Sequence, residues 1–143
     1  GREPARPVIY LDSSVALAHL LAENRQPTAS LWDETLFSSR LLEYEIWTSL
    51  HARGLAESHG DAARWLTGRI AMLALSPSVL ARALDAVPGH GAVRTLACLH
   101  LASCVYLAEH GHGVALASYD QRMNAMARAM DIPLFDLEAP QTA

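Results

Sequence analysis

Short apolar runs alternate with helical patterns along almost the whole chain, and this alternation narrows the available folds more than any other feature. Val8-Ile9-Tyr10-Leu11 is a β-prone run, and Asp12-Ser13 then offers groups that cap a helix. Val15 to Leu21 continues as helix, and a second helix is expected over Pro27 to Glu34. Leu36-Phe37-Ser38 reads as a strand. Ser39 then caps a helix that runs through His51 or Arg53 and stops at Gly54. Asp61 to Met72 is expected as helix, Leu73-Ala74-Leu75 as a third strand, and Val79 to Leu84 as a short helix. Pro88-Gly89-His90-Gly91 is a loop, and Ala92 to Glu109 a long helix. A strand at Val114 to Ala117, a helix over Asp120 to Met130 and a last strand at Pro133-Leu134-Phe135 complete the pattern. Strands alternating with helices imply an α/β domain with a mostly parallel sheet. Ligands of such sheets bind beyond the carboxyl ends of the strands. Asp12 and Asp120 each stand directly after one.

A chain of 143 residues, 51% hydrophobic and 18% charged, is most simply one globular domain over 1–143 with a core of useful size. No repeat or linker divides it. Residues 1–6 are expected to be a disordered tail, with Gly1 the scar of a cleaved tag. That start lacks the apolar core of a signal peptide, and no apolar run reaches the roughly 20 residues that span a bilayer. Cys98 and Cys104, six residues apart on one helix, are separated by about 9 Å, beyond disulfide reach. Two buried, unbridged thiols fit a reducing cytoplasm. The net charge of −4 speaks against a non-specific nucleic-acid binder. It leaves room for a nuclease whose acidic site is balanced by cations. All 11 basic residues are Arg; the chain contains no Lys.

The acidic residues differ in what their surroundings allow. Asp12 could serve only as an N-cap, but Ser13 and Ser14 can cap in its place. In the helix containing Glu43 and Glu45, the apolar stripe passes through Leu42, Ile46 and Leu50. Glu45 lies within that inward face and Glu43 off it. A carboxylate among core positions is costly unless paired or metal-bound, so Glu45 is the candidate and Glu43 a solvated residue. A structural partner such as Arg94 is the alternative for Glu45. Asp120 could also cap the last helix. Together the two strand-end aspartates and the glutamate form an oxygen donor set suited to Mg²⁺ or Mn²⁺. On the long helix Val93, Leu96, Ala97, His100, Leu101 and Cys104 share one face, so Ala97 points inward.

The segment Arg94-Thr95-Leu96-Ala97-Cys98-Leu99-His100-Leu101-Ala102 resembles the R-T-L-D-A-L-H-L-A segment of PIN-domain ribonucleases, in particular VapC-type toxins. Tyr10-Leu11-Asp12-Ser13-Ser14-Val15 is similar to the opening motif of that family. Ser38 through Trp47 is similar to the helix whose Glu, here Glu45, is a ligand, and Ser118-Tyr119-Asp120 to the T-Y-D segment before the last helix. The resemblance implies a PIN-like three-layer fold with a sheet of about five parallel strands. It also implies a divalent-metal endoribonuclease. Asp12 and Asp120 would hold metal, Glu45 would ligate it or orient water, and Ser13 and Ser118 would donate hydrogen bonds to these carboxylates or contact the phosphate. Arg40, Arg94 and Arg122 become candidate RNA contacts. A VapB-type antitoxin and a homodimer are the implied partners, with apolar residues around Trp47, Trp65 and Leu66 available for contacts. Ala97 stands where the family has an Asp, so weak metal binding and little cleavage are expected. The intact surrounding motif favours an engineered Asp→Ala change over natural decay. A naturally degenerate, catalytically silent scaffold that binds protein or RNA is the alternative.

Other chemistries fit less well. A phosphoaspartyl phosphatase or receiver domain also places an Asp after its first strand, but needs a Lys to neutralise phosphate. No GK[ST] phosphate loop and no G-x-S-x-G elbow occurs. His110 and His112 lie in a turn and are expected to be solvated. His100 is expected as a hydrogen-bonded core residue, and Trp32, Trp47 and Trp65 as packing anchors.

Overall fold

The computed structural model describes residues 6–85 and 94–138. Four strands, β1 (Val8–Leu11), β2 (Leu36–Ser39), β3 (Ala71–Leu73) and β4 (Val114–Ala117), form one sheet in the order β3-β2-β1-β4. Every pairing is parallel, with Ile9 opposite both Leu36 and Ala115. The α/β class and the parallel sheet are as the alternation implies. β1, β3 and β4 are short and apolar throughout, as expected of strands covered on both faces, whereas β2 ends in two buried serines, Ser38 and Ser39.

The helices are α1 (Ser13–Leu20), α2 (Leu41–Ala52), α3 (Ala56–Gly68), α4 (Pro77–Asp85), α5 (Thr95–Glu109) and α6 (Gln121–Ala129). The strand side chains alternate between two cores. Ile9, Leu11, Ala115 and Ala117 pack with Val15, Leu42, Ile46, Leu50 and Leu66 on one face. Tyr10, Val114 and Leu116 pack with Leu101, Cys104, Leu107, Met123 and Ala127 on the other. The sheet is thus sandwiched between α1–α3 and α5–α6, with α4 lying against α5. Cys98 and Cys104 are both buried and not joined by a disulfide. No helix among the described residues is long and apolar enough to cross a membrane.

Several boundaries differ from the sequence pattern. The expected fifth strand is reduced to one parallel bridge, Leu134 to Leu116. Pro133 has no N–H to extend the ladder, and the Asp136 carboxylate accepts from the Glu138 N–H, 3.0 Å away, turning the chain off the sheet. The segment from Pro27 to Glu34 forms only a 3-10 turn over Ala29–Asp33. Its start is tied by Thr28 N–H to the Leu137 carbonyl (2.9 Å), and its end is extended at Glu34 to enter β2. Helix α3 begins at Ala56, before the expected Asp61, and runs through Gly60. A Cβ at Gly60 would sit 3.2 Å from the Trp47 ring, so the glycine lets α3 approach α2 closely. Ala71 and Met72 leave the helix pattern because they pair with Phe37 and Ser38 in the sheet. Leu96, expected on the inward face of α5, is 37% exposed. The loop at Pro88–Gly91 and the expected first turn of α5 at Ala92 lie outside the described residues, as does most of the expected tail.

Candidate metal centre

From β1 the chain moves to β2 on one side and later returns to β4 on the other. The strand order therefore reverses between β1 and β4, and a crevice opens at their carboxyl ends. Asp12 leaves β1 and Ser118-Tyr119-Asp120 leave β4 at this point. A cavity of about 500 Å³ lies here, lined by Asp12, Ser13, Glu45, Ala97, His100 and Asp120 among others.

Asp12 is 4% exposed. Its Oδ2 accepts from Ser14 Oγ at 2.7 Å and Ser118 Oγ at 2.8 Å. It also caps α1 through the Ser14 N–H, at a long 3.4 Å. Ser14 and Ser118 bind the loop after β4 in turn: Ser14 Oγ accepts from Tyr119 N–H and Ser118 Oγ from Asp120 N–H, both at 2.9 Å. Asp12 is thereby a cap and the hub of a network that joins the β1 and β4 exits.

Glu45 reaches the crevice from α2. Its two oxygens are held separately, Oε2 by Ser13 Oγ at 3.0 Å and Oε1 by His100 Nε2 at 2.5 Å. His100, on α5, is fully buried, and its Nδ1 lies 2.7 Å from Tyr10 Oη. The partner of Glu45 is thus His100, not Arg94. Glu43 faces outward and pairs with Arg40 at 3.0 Å. Burial drives the Tyr10 phenol well above its ordinary pKa, an effect to which the nearby Cys104 and Asp12 add. Its hydroxyl therefore remains a protonated partner for His100 at neutral pH.

One ligand atom from each of Asp12, Glu45 and His100 lies within 4.8 Å of the others. Two carboxylates and an imidazole converging in this way fit a divalent cation. Asp120 lines the same cavity but stands outside that tight group. Its Oδ1 caps α6, accepting from Arg122 N–H and Met123 N–H at 3.0 and 3.1 Å. Among the described residues, no donor reaches its Oδ2. Ala97, 7% exposed, adds a methyl group to the cavity wall one turn before His100. Arg94 lines this cavity, and Arg94 and Arg122 both line an adjoining one of about 400 Å³ that shares Ala97 and Asp120.

Tyr10 and Ser14 stand in the opening motif, but the sequence pattern assigns neither a place in the site. A tyrosine within a strand buried on both faces needs a partner for its hydroxyl, and that is the signal for Tyr10. His110 and His112 are exposed in their turn, as expected. Trp47 and Trp32 pack against the core, whereas Trp65 is 65% exposed beneath the Arg69 guanidinium.

A doubly wound sheet with carboxylates gathered at its switch point defines a class of α/β domains that bind ligands beyond the carboxyl ends of their strands. Within that class the PIN domain family model matches residues 9–129, and the chain belongs to this family. PIN domains are in general nucleases that act on nucleic acids and typically hold divalent metals. A search of curated proteins returns no match to the chain.

Proposed function

We propose that this domain is a divalent-metal-dependent endoribonuclease of the VapC toxin type, with its third acidic position occupied by Ala97. The supporting observation is the convergence of Asp12, Glu45 and Asp120 on one cavity at the switch point, with Ala97 in its wall. A bound Mg²⁺ or Mn²⁺ would polarise the scissile phosphate and lower the pKa of an attacking water. Asp12 and Asp120 hold the cation from the two strand exits. Glu45 ligates it or orients the water. Ser13 and Ser118 fix the carboxylates through the bonds described above. Arg94 and Arg122, at the mouth, meet backbone phosphates of RNA; Arg40 is less suited, being paired with Glu43.

With a methyl group at position 97, the pocket lacks one ligand and one negative charge. Weak Mg²⁺ binding and little cleavage follow. A cytoplasmic toxin of this type is expected to pair with a VapB-type antitoxin and to form a homodimer. Ala97 is also the specific feature that favours a second reading, a naturally silent PIN domain serving as a scaffold for protein or RNA.

RNA cleavage with Mg²⁺ or Mn²⁺, comparing this chain with Ala97→Asp, separates the two. Activity that appears only in the variant and vanishes with EDTA supports a nuclease disabled at position 97. Inactivity of a folded variant on total RNA favours the scaffold. Equal cleavage by both contradicts the assignment of Ala97.

A further inference from the structure

We infer that His100 is a direct metal ligand, and that the Asp12–Glu45–His100 set selects a transition-metal ion such as Mn²⁺ over Mg²⁺. This deepens the nuclease reading and rests on its divalent-cation centre. His100 presents Nε2 to the same point as the two carboxylates, within the 4.8 Å that groups all three. Its Nδ1 is anchored by Tyr10 Oη at 2.7 Å, the outer hydrogen bond that orients metal-bound imidazoles. One turn earlier on α5, Ala97 offers no carboxylate that would take this place.

The donor set decides the metal. Mg²⁺ holds to oxygen ligands and gives up water reluctantly. Imidazole suits softer divalent ions, whose affinity for nitrogen–oxygen sites rises along the first transition row from Mn²⁺. A ligating Nε2 is unprotonated, so the neutral ring carries its proton on Nδ1 and donates it to Tyr10 Oη. The Tyr10 hydroxyl then accepts from Nδ1 instead of donating to it. Glu45 Oε1, now against Nε2, faces the cation instead, while Ser13 keeps hold of Oε2.

Pulsed EPR of the chain loaded with Mn²⁺ reads this out without any cleavage assay. The expected result is nitrogen modulation from one imidazole, absent in both His100→Gln and Asp12→Asn. The Mn²⁺ signal should also survive a roughly tenfold excess of Mg²⁺. Mn²⁺ bound in an Asp12-dependent manner without nitrogen modulation would overturn ligation by His100 and leave the nuclease reading standing. Mn²⁺ binding indifferent to Asp12→Asn would remove both; no Mn²⁺ binding would overturn ligation by His100, while the nuclease reading would still stand or fall on the Ala97→Asp comparison. Because His100 is buried, near-UV circular dichroism checks that His100→Gln folds. Should it not fold, the modulation in the unsubstituted chain decides alone.

Discussion

At the carboxyl end of the sheet, Asp12, Ser118 and His100 are buried polar groups, each tied to its neighbours by side-chain hydrogen bonds. At the amino end of the same strands, a depression of about 470 Å³ is walled largely by apolar groups, Val105, Val114, Met130 and Ile132 with Cys104. The strands are continuous between these ends, so fold stability alone does not explain the contrast. Burying a carboxylate costs free energy that an apolar side chain does not. Ser13, Ser14, Ser118 and Tyr10 hold two carboxylates and an imidazole in place, and that hydrogen-bonded network is what offsets their burial. The amino end shows what this fold does where no such demand exists.

The contrast can be broken from the middle. Leu116 lies in β4 between the two ends and is fully buried. Leu116→Ala should cost about 2–5 kcal/mol, as large-to-small core changes do, measured by urea unfolding. It should leave any cation-induced rise in Tm present. Asp12→Asn acts in the opposite way. It keeps the shape and removes the charge, and the Asn amide oxygen can still accept from Ser14 and Ser118, so unfolding free energy without metal should change by only about 1–2 kcal/mol, the order of one or two hydrogen bonds. The rise in Tm on adding Mn²⁺ should disappear. A loss of several kcal/mol without metal would mean that Asp12 is chiefly a structural hub.

The smallest expected effect lies away from both ends. His19 sits against Trp32, with ring centroids 4.5 Å apart. Its pKa is lowered from 6.5 by desolvation and then by the charge of Arg69. A lowered folded-state value means that the unfolded chain binds the proton more readily. Stability is therefore full above pH 6.5 and declines as pH falls through the window below it. His19→Gln should flatten that small decline in Tm between neutral and mildly acidic pH.

Sequence made the site legible where periodicity had something to contradict. Glu45 stood out because Leu42, Ile46 and Leu50 define a stripe into which a carboxylate should not fall. Asp12 and Asp120 stood out because parallel strands aim their carboxyl ends at ligands. The bond from His100 to Glu45 was not legible. It joins residues 55 positions apart on helices packed against opposite faces of the sheet, and only the assembled fold brings them over the end of β1. The same holds for Tyr10, 90 positions from its partner. Boundaries failed where local apolar pattern was neutral. Ala71-Met72-Leu73 and Leu73-Ala74-Leu75 are equally strand-like, and pairing with Phe37 to Ser39 chose the first.

The most direct test of the account is a calorimetric Mg²⁺ titration of this chain beside Ala97→Asp. A carboxylate at position 97 should tighten binding by about tenfold or more, which is about 1.4 kcal/mol. Equal affinity in the two chains would contradict the claim that position 97 is the missing ligand of a metal-dependent nuclease.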